Sequence, residues 1–255
     1  MIKKIFKGEE DLNHLASRPS PASSVVGAID YRNVVVNKPW GYEYLMFENE
    51  YVAVWILFLK KGARTSMHCH PKKKTSLLVL GGDVQTSSLN ECFRLGFLDS
   101  IIIDKGVFHS TANEFSDGAF IMEIESPPDK ADLVRLKDEY GRENKGYENG
   151  EAFSKELEKY EHQAFHDDMD KERRIIEKVI RESRINLHTR EDLASLKEEV
   201  LANNYRLVGL LDASLSHEVD GVILDAGELC EKDWFLDEGQ KLRPSRQPFT
   251  ALTIY

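Results

Sequence analysis

The chain has 255 residues, 34 basic and 44 acidic, and a net charge of -10, which argues against a nucleic-acid or anionic-membrane surface as its main business. That length can bury a sizeable core and suits one large domain or a domain with an appendage. Cys69, Cys92 and Cys230 lack CxxC spacing, which argues against a disulfide framework and fits a reducing compartment.

Glu9, Glu10 and Asp11 stand where a signal peptide needs its apolar stretch, and no apolar run approaches the length of a membrane span, so a cytoplasmic protein is expected. Residues 1–24 end in Ser17-Arg-Pro-Ser-Pro-Ala-Ser-Ser24 and read as an N-terminal arm or linker. From 25 to 142 the pattern is one of short β-like runs: Val34–Val36, Tyr42–Phe47, Tyr51–Leu59, Thr75–Leu80, Ser100–Ile103 and Ala119–Glu125. Separated by Gly, Asn, Asp and Lys-Gly turns, they predict a sandwich or small barrel.

Beyond Pro128 the chain turns polar. Residues 143–204 read as a charged helical segment, because Phe153, Leu157, Tyr160, Ala164 and Phe165, then Ile175, Ile176, Val179 and Ile180, recur at three- and four-residue steps. His162 and His166 would sit four apart on such a helix, a spacing able to hold metal but without a third ligand nearby. Thr189 and Asp192 resemble a capping box opening a helix through Leu193, Leu196 and Val200, which Asn203 and Asn204 would stop. Residues 205–255 read as a small strand-rich α/β unit, from the runs Arg206–Leu211, Gly221–Leu224 and Phe249–Tyr255.

The stretch that points to chemistry is Gly62–Asn113. His68 and His70 flank Cys69, and alternation along a strand turns both imidazoles to one side and Cys69 to the other. His109 follows the apolar run Ser100–Ile103 and a Gly turn. If the two strands are neighbours, three neutral imidazoles converge as ligands for one divalent ion, Zn, Mn, Fe or Ni.

Gly62-x5-His68-x-His70-x4-Thr75-x6-Gly82, followed by Asp104-x-Gly106-x2-His109-x3-Asn113, resembles the two signature motifs of the cupin superfamily. The resemblance implies a mainly β fold, a jelly-roll or double-stranded β-helix barrel, that usually holds one metal ion. Two positions depart from the pattern, which has Glu at Thr75 and Pro at Asp104. Lys38-Pro-Trp-Gly-Tyr-Glu-Tyr44 and the segment Ile121–Arg142 are similar to the opening and closing segments of the cupin domain of type II mannose-6-phosphate isomerases, so the likeness covers residues 34–142. Those isomerases tend to carry Gln at His68, so His70 and His109 carry over directly as ligands. The likeness also implies substrate-phosphate contacts from Arg135 and Arg142, and a homodimer paired through the outer sheets.

Glu123 and Glu125 lie on one strand face, and either is placed to act as a base moving a proton next to a sugar carbonyl polarised by metal. Their alternative is exposure or pairing with Arg64 or a lysine. Lys72 and Lys74, in the run Lys72–Lys74, together with Arg64, are candidate contacts for an acidic small-molecule substrate, a phosphorylated sugar above all. The alternative for the lysines is a solvated loop tip. Three functions fit: a sugar-phosphate or nucleotide-sugar isomerase or epimerase of surface polysaccharide synthesis, a non-haem iron dioxygenase, or a non-catalytic binding module.

Overall fold

Short runs of β-branched and aromatic residues become strands along most of the chain. The computed structural model describes residues 1–18, 30–143, 146–148, 150–168, 175–217, 220–238 and 241–255; Pro19 and Pro21 of the expected arm lie outside them. Thirteen strands come first: β1 (Ile2–Ile5), β2 (Val35–Lys38), β3 (Gly41–Glu48), β4 (Ala53–Lys60), β5 (Met67–Cys69), β6 (Lys74–Gly81), β7 (Val84–Ser88), β8 (Cys92–Leu95), β9 (Ser100–Ile103), β10 (His109–Ala112), β11 (Gly118–Ser126), β12 (Val134–Lys137) and β13 (Phe153–Ser154). They form two sheets, ordered β1-β9-β6-β11-β4-β3-β2-β13 and β12-β5-β10-β7-β8. From β4 to β12 the chain passes back and forth between these sheets, the winding of a double-stranded β-helix.

Side-chain parity divides the large sheet into two faces. Trp55 and Leu57 of β4, Leu77 and Val79 of β6 and Ile121 of β11 fill the barrel interior. Val54, Ile56, Leu78, Met122 and Ile124 form a separate apolar layer on the outside. The two-residue repeat of β11 therefore turns Glu123 and Glu125 inward with Ile121.

The outer layer is completed by the C-terminal half. Its strands are β14 (Ile175–Ile180), β15 (Ser183–Arg190), β16 (Leu207–Leu210), β17 (Leu215–His217), β18 (Gly221–Leu224), β19 (Leu229–Glu231), β20 (Leu242–Pro244) and β21 (Phe249–Ile254). They form sheets ordered β14-β15-β21-β16-β19 and β18-β17-β20. Ile176, Ile180, Ile185, Leu187, Leu252 and Ile254 share one apolar cluster with Tyr44, Met46, Val54 and Met122. Each such side chain contributes about 1.5–3 kcal/mol on burial. This contact covers, within one chain, the outer face on which pairing with a second subunit is expected.

Three local expectations are corrected. Residues 175–190 form the β14–β15 hairpin instead of helix: Ile176 and Ile180 point into the core, while Ile175 and Val179 are exposed. Apolar residues at those positions satisfy a two-residue repeat as well as a four-residue one, and β-branching together with a pairing strand decides for sheet. His162 and His166 accordingly share no helix; His162 packs on the Tyr44 ring at 4.5 Å between centroids.

The helix α2 (Leu193–Ala202) starts later than expected, since Thr189 still belongs to β15 and Asp192 is the N-cap, accepting from the Ser195 N–H at 2.8 Å. The third correction is at the N-terminus. Residues expected as arm include β1, which pairs in parallel with β9, and the helix α1 (Glu9–Ala16). β1 covers β9 and becomes the edge strand of the large sheet, and Ile5 reaches the barrel interior.

Candidate metal centre and active site

The three histidines come together because the two motif strands are neighbours. In the antiparallel pair β5–β10, His68 lies directly opposite His109, and His70 follows two residues after His68. Ring centroids are 4.5 Å apart for His68–His109, 4.9 Å for His68–His70 and 5.5 Å for His70–His109. One ring nitrogen from each lies within 4.8 Å of the others.

Local hydrogen bonds hold the strands in this arrangement. Gly106, at a φ of 79°, makes the turn before β10, and its N–H donates to the His70 carbonyl at 2.8 Å. The Val107 N–H closes the turn on the Asp104 carbonyl. Asp11 of α1 accepts from the Phe108 N–H at 2.8 Å, so the N-terminal helix braces the residue beside His109. Cys69 points the other way, into a small apolar cluster with Phe108 and Val134, and is a free thiol.

Each imidazole is also held in one tautomer. Nδ1 of His68 meets the Ser66 carbonyl at 2.8 Å, Nδ1 of His70 the Asp132 carbonyl at 2.6 Å, and Nδ1 of His109 the Val107 carbonyl at 3.0 Å. A carbonyl oxygen only accepts, so each Nδ1 carries the proton and each Nε2 presents a lone pair. Nε2 of His70 is buried, with no hydrogen-bond partner among the described residues.

Burial drives the proton affinity of all three rings down. His68 and His70 fall well below the usual range, and His109 falls to about 4. Neutral imidazoles with fixed tautomers and converging free nitrogens are what a divalent ion requires, so the residues fit the metal that the fold implies.

Thr75 stands on β6 opposite Glu125 of β11, and its buried hydroxyl has no hydrogen-bond partner among the described residues. The carboxylates of Glu123 and Glu125 form a second ligand-capable cluster with His70. The acidic function absent at Thr75 is thus present one strand away.

The two carboxylates behave differently. Burial would raise Glu125, but Lys130 and Lys73 outweigh it and hold the group below its ordinary range, with Lys73 Nζ at 2.7 Å and Lys130 Nζ at 3.2 Å. Glu123 has no hydrogen bond or ion pair among the described residues. Burial first, then the negative charges of Glu125 and Glu43, raise its pKa to about 7, against the pull of Lys130 and Lys73. Two neighbouring carboxyls pushed apart in this way are suited to separate acid–base roles.

These groups line one cavity of about 60 Å³, along with Lys38, Arg135, Arg142 and Tyr147. Burial works to raise Glu43, but Lys130 and Lys38 hold its pKa down at about 2. Tyr147 donates its hydroxyl to Glu43, and the Lys130 ammonium lies 3.7 Å from the Trp55 ring centroid.

Arg135 and Arg142, expected from the resemblance, face the cavity; Lys72, Lys74 and Arg64 do not. Lys72 is exposed, and among the described residues only its backbone N–H is engaged, by Asp132. Lys74 pairs with Asp225 and Glu228 of the C-terminal half, and Arg64 with Glu114 and Glu139 at the surface. The inward lysine of the run is Lys73, 2% exposed. Parity names it: residues 73, 75 and 77 share a face, and Leu77 is interior. The same rule picks out Glu43 through Leu45. Lys130, Tyr147 and Glu148 enter from loops and carry no periodic signal.

No protein-family model and no curated protein matches the sequence. Among solved structures, an uncharacterized conserved protein with a double-stranded β-helix domain from Klebsiella pneumoniae is similar at 16% identity, TM-score 0.35, over 38% of this chain and 84% of its own. A cupin-2 domain containing protein from Shewanella frigidimarina is similar at 20% identity, TM-score 0.31, over 35% of this chain and 83% of its own. A sugar phosphate isomerase from a cupin superfamily, from Silicibacter pomeroyi, is similar at 13% identity, TM-score 0.35, over 37% of this chain and 64% of its own. Among the described residues no helix is long and apolar enough to cross a membrane. By its alternating strand order, the barrel formed by β1 to β13 is a double-stranded β-helix.

Proposed function

We propose that this chain is a metal-dependent isomerase or epimerase acting on a phosphorylated sugar, in carbohydrate biosynthesis such as that of surface polysaccharide. One observation carries the reading: a single cavity joins three imidazoles of fixed tautomer to a buried carboxylate pair of unequal proton affinity. His68, His70 and His109 would hold one divalent ion, Zn, Mn, Fe or Ni. When bound, the ion supplies Lewis-acid polarisation of a carbonyl and hydroxyl pair.

The chain's own groups supply the remainder. Glu123, near neutrality in proton affinity and unpaired among the described residues, takes a proton from the carbon beside the carbonyl on a carboxylate oxygen and returns it to the former carbonyl carbon, while the neighbouring hydroxyl's proton passes to the former carbonyl oxygen. Glu125 stays ionised and holds the Lys73 and Lys130 ammoniums in the cavity, where they stabilise negative charge developing on substrate oxygens. Arg135 and Arg142 bind the substrate's acidic group. The apolar interior around Leu57, Leu77 and Ile121 closes the inner end of the cavity to water.

The test is proton exchange in deuterated water over a panel of aldose and ketose phosphates, on protein whose metal content has been measured. Deuterium appearing at the carbon beside the carbonyl, and lost when metal is stripped, supports the reading. The cluster of His70 with Glu123 and Glu125 favours one second reading, an iron dioxygenase, since oxygen-activating iron commonly takes histidines and a carboxylate. Bound iron with oxygen uptake and no exchange would select it. Tight sugar binding by metal-loaded protein without either activity would mark a binding module.

A further inference from the structure

The three imidazoles do not owe their posture to the same part of the chain. His68 and His109 each reach a carbonyl two residues back in their own segment, that of Ser66 and that of Val107. His70 lies one residue past the end of β5, where the ladder no longer holds it, and its Nδ1 meets the carbonyl of Asp132, 62 residues further on. That carbonyl has to be brought to the ring and kept there.

The side chain of the same residue does so. Asp132 Oδ2 accepts from the backbone N–H of Lys72 at 2.8 Å and of Lys73 at 3.0 Å, the first N–H groups after His70, since Pro71 has none. Two successive N–H groups aimed at one oxygen form a small anion cradle, and a charged acceptor strengthens both bonds. The Asp132 N–H closes the turn on the Asp129 carbonyl at 3.2 Å, and that carbonyl also accepts from Lys73 Nζ at 2.9 Å. Asp132 is 2% exposed, and its Oδ1 is buried with no hydrogen-bond partner among the described residues. A turn that only had to be stable would gain little from a buried carboxylate with one oxygen idle. Among the described residues Asp132 belongs to neither ligand-capable cluster, so its work is to position and not to ligate.

We propose that Asp132 is a positioning residue of the metal centre: its carboxylate, seated on the Lys72 and Lys73 N–H groups, holds its own carbonyl against His70 Nδ1, so that the His70 ring is fixed with Nε2 free for the ion. The clamp serves one imidazole of the three, and it ties that ligand to the turn that holds the Lys73 ammonium in the cavity. Nothing in the spacing of the histidines points to Asp132, because it acts from a loop. The inference deepens the proposed function and rests on its assignment of His70 as a ligand.

The experiment reads the ring N–H groups of metal-free full-length protein by proton–nitrogen NMR, each signal assigned by its absence from His68→Ala, His70→Ala or His109→Ala. Zn²⁺ competition titration follows on the same samples. Wild type should show a slowly exchanging Nδ1–H signal for each of the three rings. Asp132→Ala should erase the His70 signal, leave those of His68 and His109, and lower Zn²⁺ affinity by about 10–100-fold, the usual worth of an outer partner of a metal-bound histidine. Asp132→Asn keeps an oxygen that can accept from both N–H groups but lacks the charge. It should restore most of the affinity, with the His70 signal present and shifted, and it carries the test if the Ala variant does not fold. An unchanged His70 signal in both variants, or equal changes at all three rings, overturns the proposal. A His70 signal lost in Asp132→Ala with Zn²⁺ affinity unchanged would overturn the assignment of His70 as a ligand and leave the clamp standing. The ring signals do not depend on turnover, so absent proton exchange would overturn the proposed reaction alone.

Discussion

Around β16 and β21 the C-terminal half buries Leu196, Val208, Phe235, Phe249 and Ala251, whereas the His-bearing end of the barrel buries Lys38, Glu43, Lys73, Glu123, Glu125 and Arg135. Both ligand-capable clusters found among the described residues lie in the barrel. Replacing a buried ion pair by packed hydrocarbon is often neutral or stabilising, so concentrated buried charge is weak evidence for stability and better evidence for chemistry. The comparison assigns the two halves different work. The barrel holds buried charged groups against their desolvation cost, and the C-terminal sheet seals the barrel's outer face with apolar contact.

The largest effect that would sharpen this division is expected from His109→Ala. It should lower divalent-metal affinity on the order of 100-fold or more, since even outer partners of metal ligands are worth 10–100-fold. Proton exchange should vanish while the C-terminal sheet stays folded, as read by thermal unfolding and chelator competition. Glu123→Gln comes next: exchange should fall by about 10²–10⁴-fold, the usual worth of a positioned acid–base group, with far less change in metal affinity. Equal loss in Glu123→Gln and Glu125→Gln would erase the distinction drawn between these carboxyls.

Leu196→Ala strikes the other half. It should cost about 2–5 kcal/mol in denaturant unfolding and leave the metal affinity of the folded protein unchanged. A loss of metal affinity in that variant would break the separation of roles.

A smaller effect, of about 3 kcal/mol, is expected from pH at His188, whose pKa burial, aided by the Arg190 charge, lowers to about 4 against an ordinary 6.5. Its ring is held neutral by an Arg190 N–H donating to Nδ1 at 3.3 Å and by Thr253 Oγ1 at 2.7 Å from Nε2. Between those two pH values the unfolded chain binds a proton that the folded one refuses. The site's stability is therefore complete above pH about 6.5 and is lost as pH falls to about 4. Urea midpoints measured from pH 7 to 4 should fall less steeply for His188→Gln than for wild type.

Much of the barrel is legible because the code that builds it is short. Residue parity alone sets His68 beside His70, turns Cys69 away, and aligns Glu123 with Glu125. The Asp104–Val107 turn with Gly106 then predicts a return strand carrying His109. Legibility fails where two periods fit one pattern, as at Ile175, Ile176, Val179 and Ile180, which a helix or an edge strand would both accept. It fails again in loops. Nothing repetitive in the sequence announces that Lys130 joins Glu125, or that Glu148 reaches Lys38, because those contacts are set by where the closing segment crosses the barrel mouth. The lysine run shows the middle case: charge points to residues 72 to 74 alike, and only the inward parity of Thr75 and Leu77 singles out Lys73.

On the proposed reading His68, His70 and His109 grip a single cation. Titration of metal-free protein with Co²⁺, followed by its visible absorption and by direct metal counting, tests it most directly. One ion per chain, displaced by Zn²⁺ and absent from His68→Ala, His70→Ala and His109→Ala alike, is the predicted result; an ion that binds equally well after any one of those substitutions, or no binding at all, would contradict it.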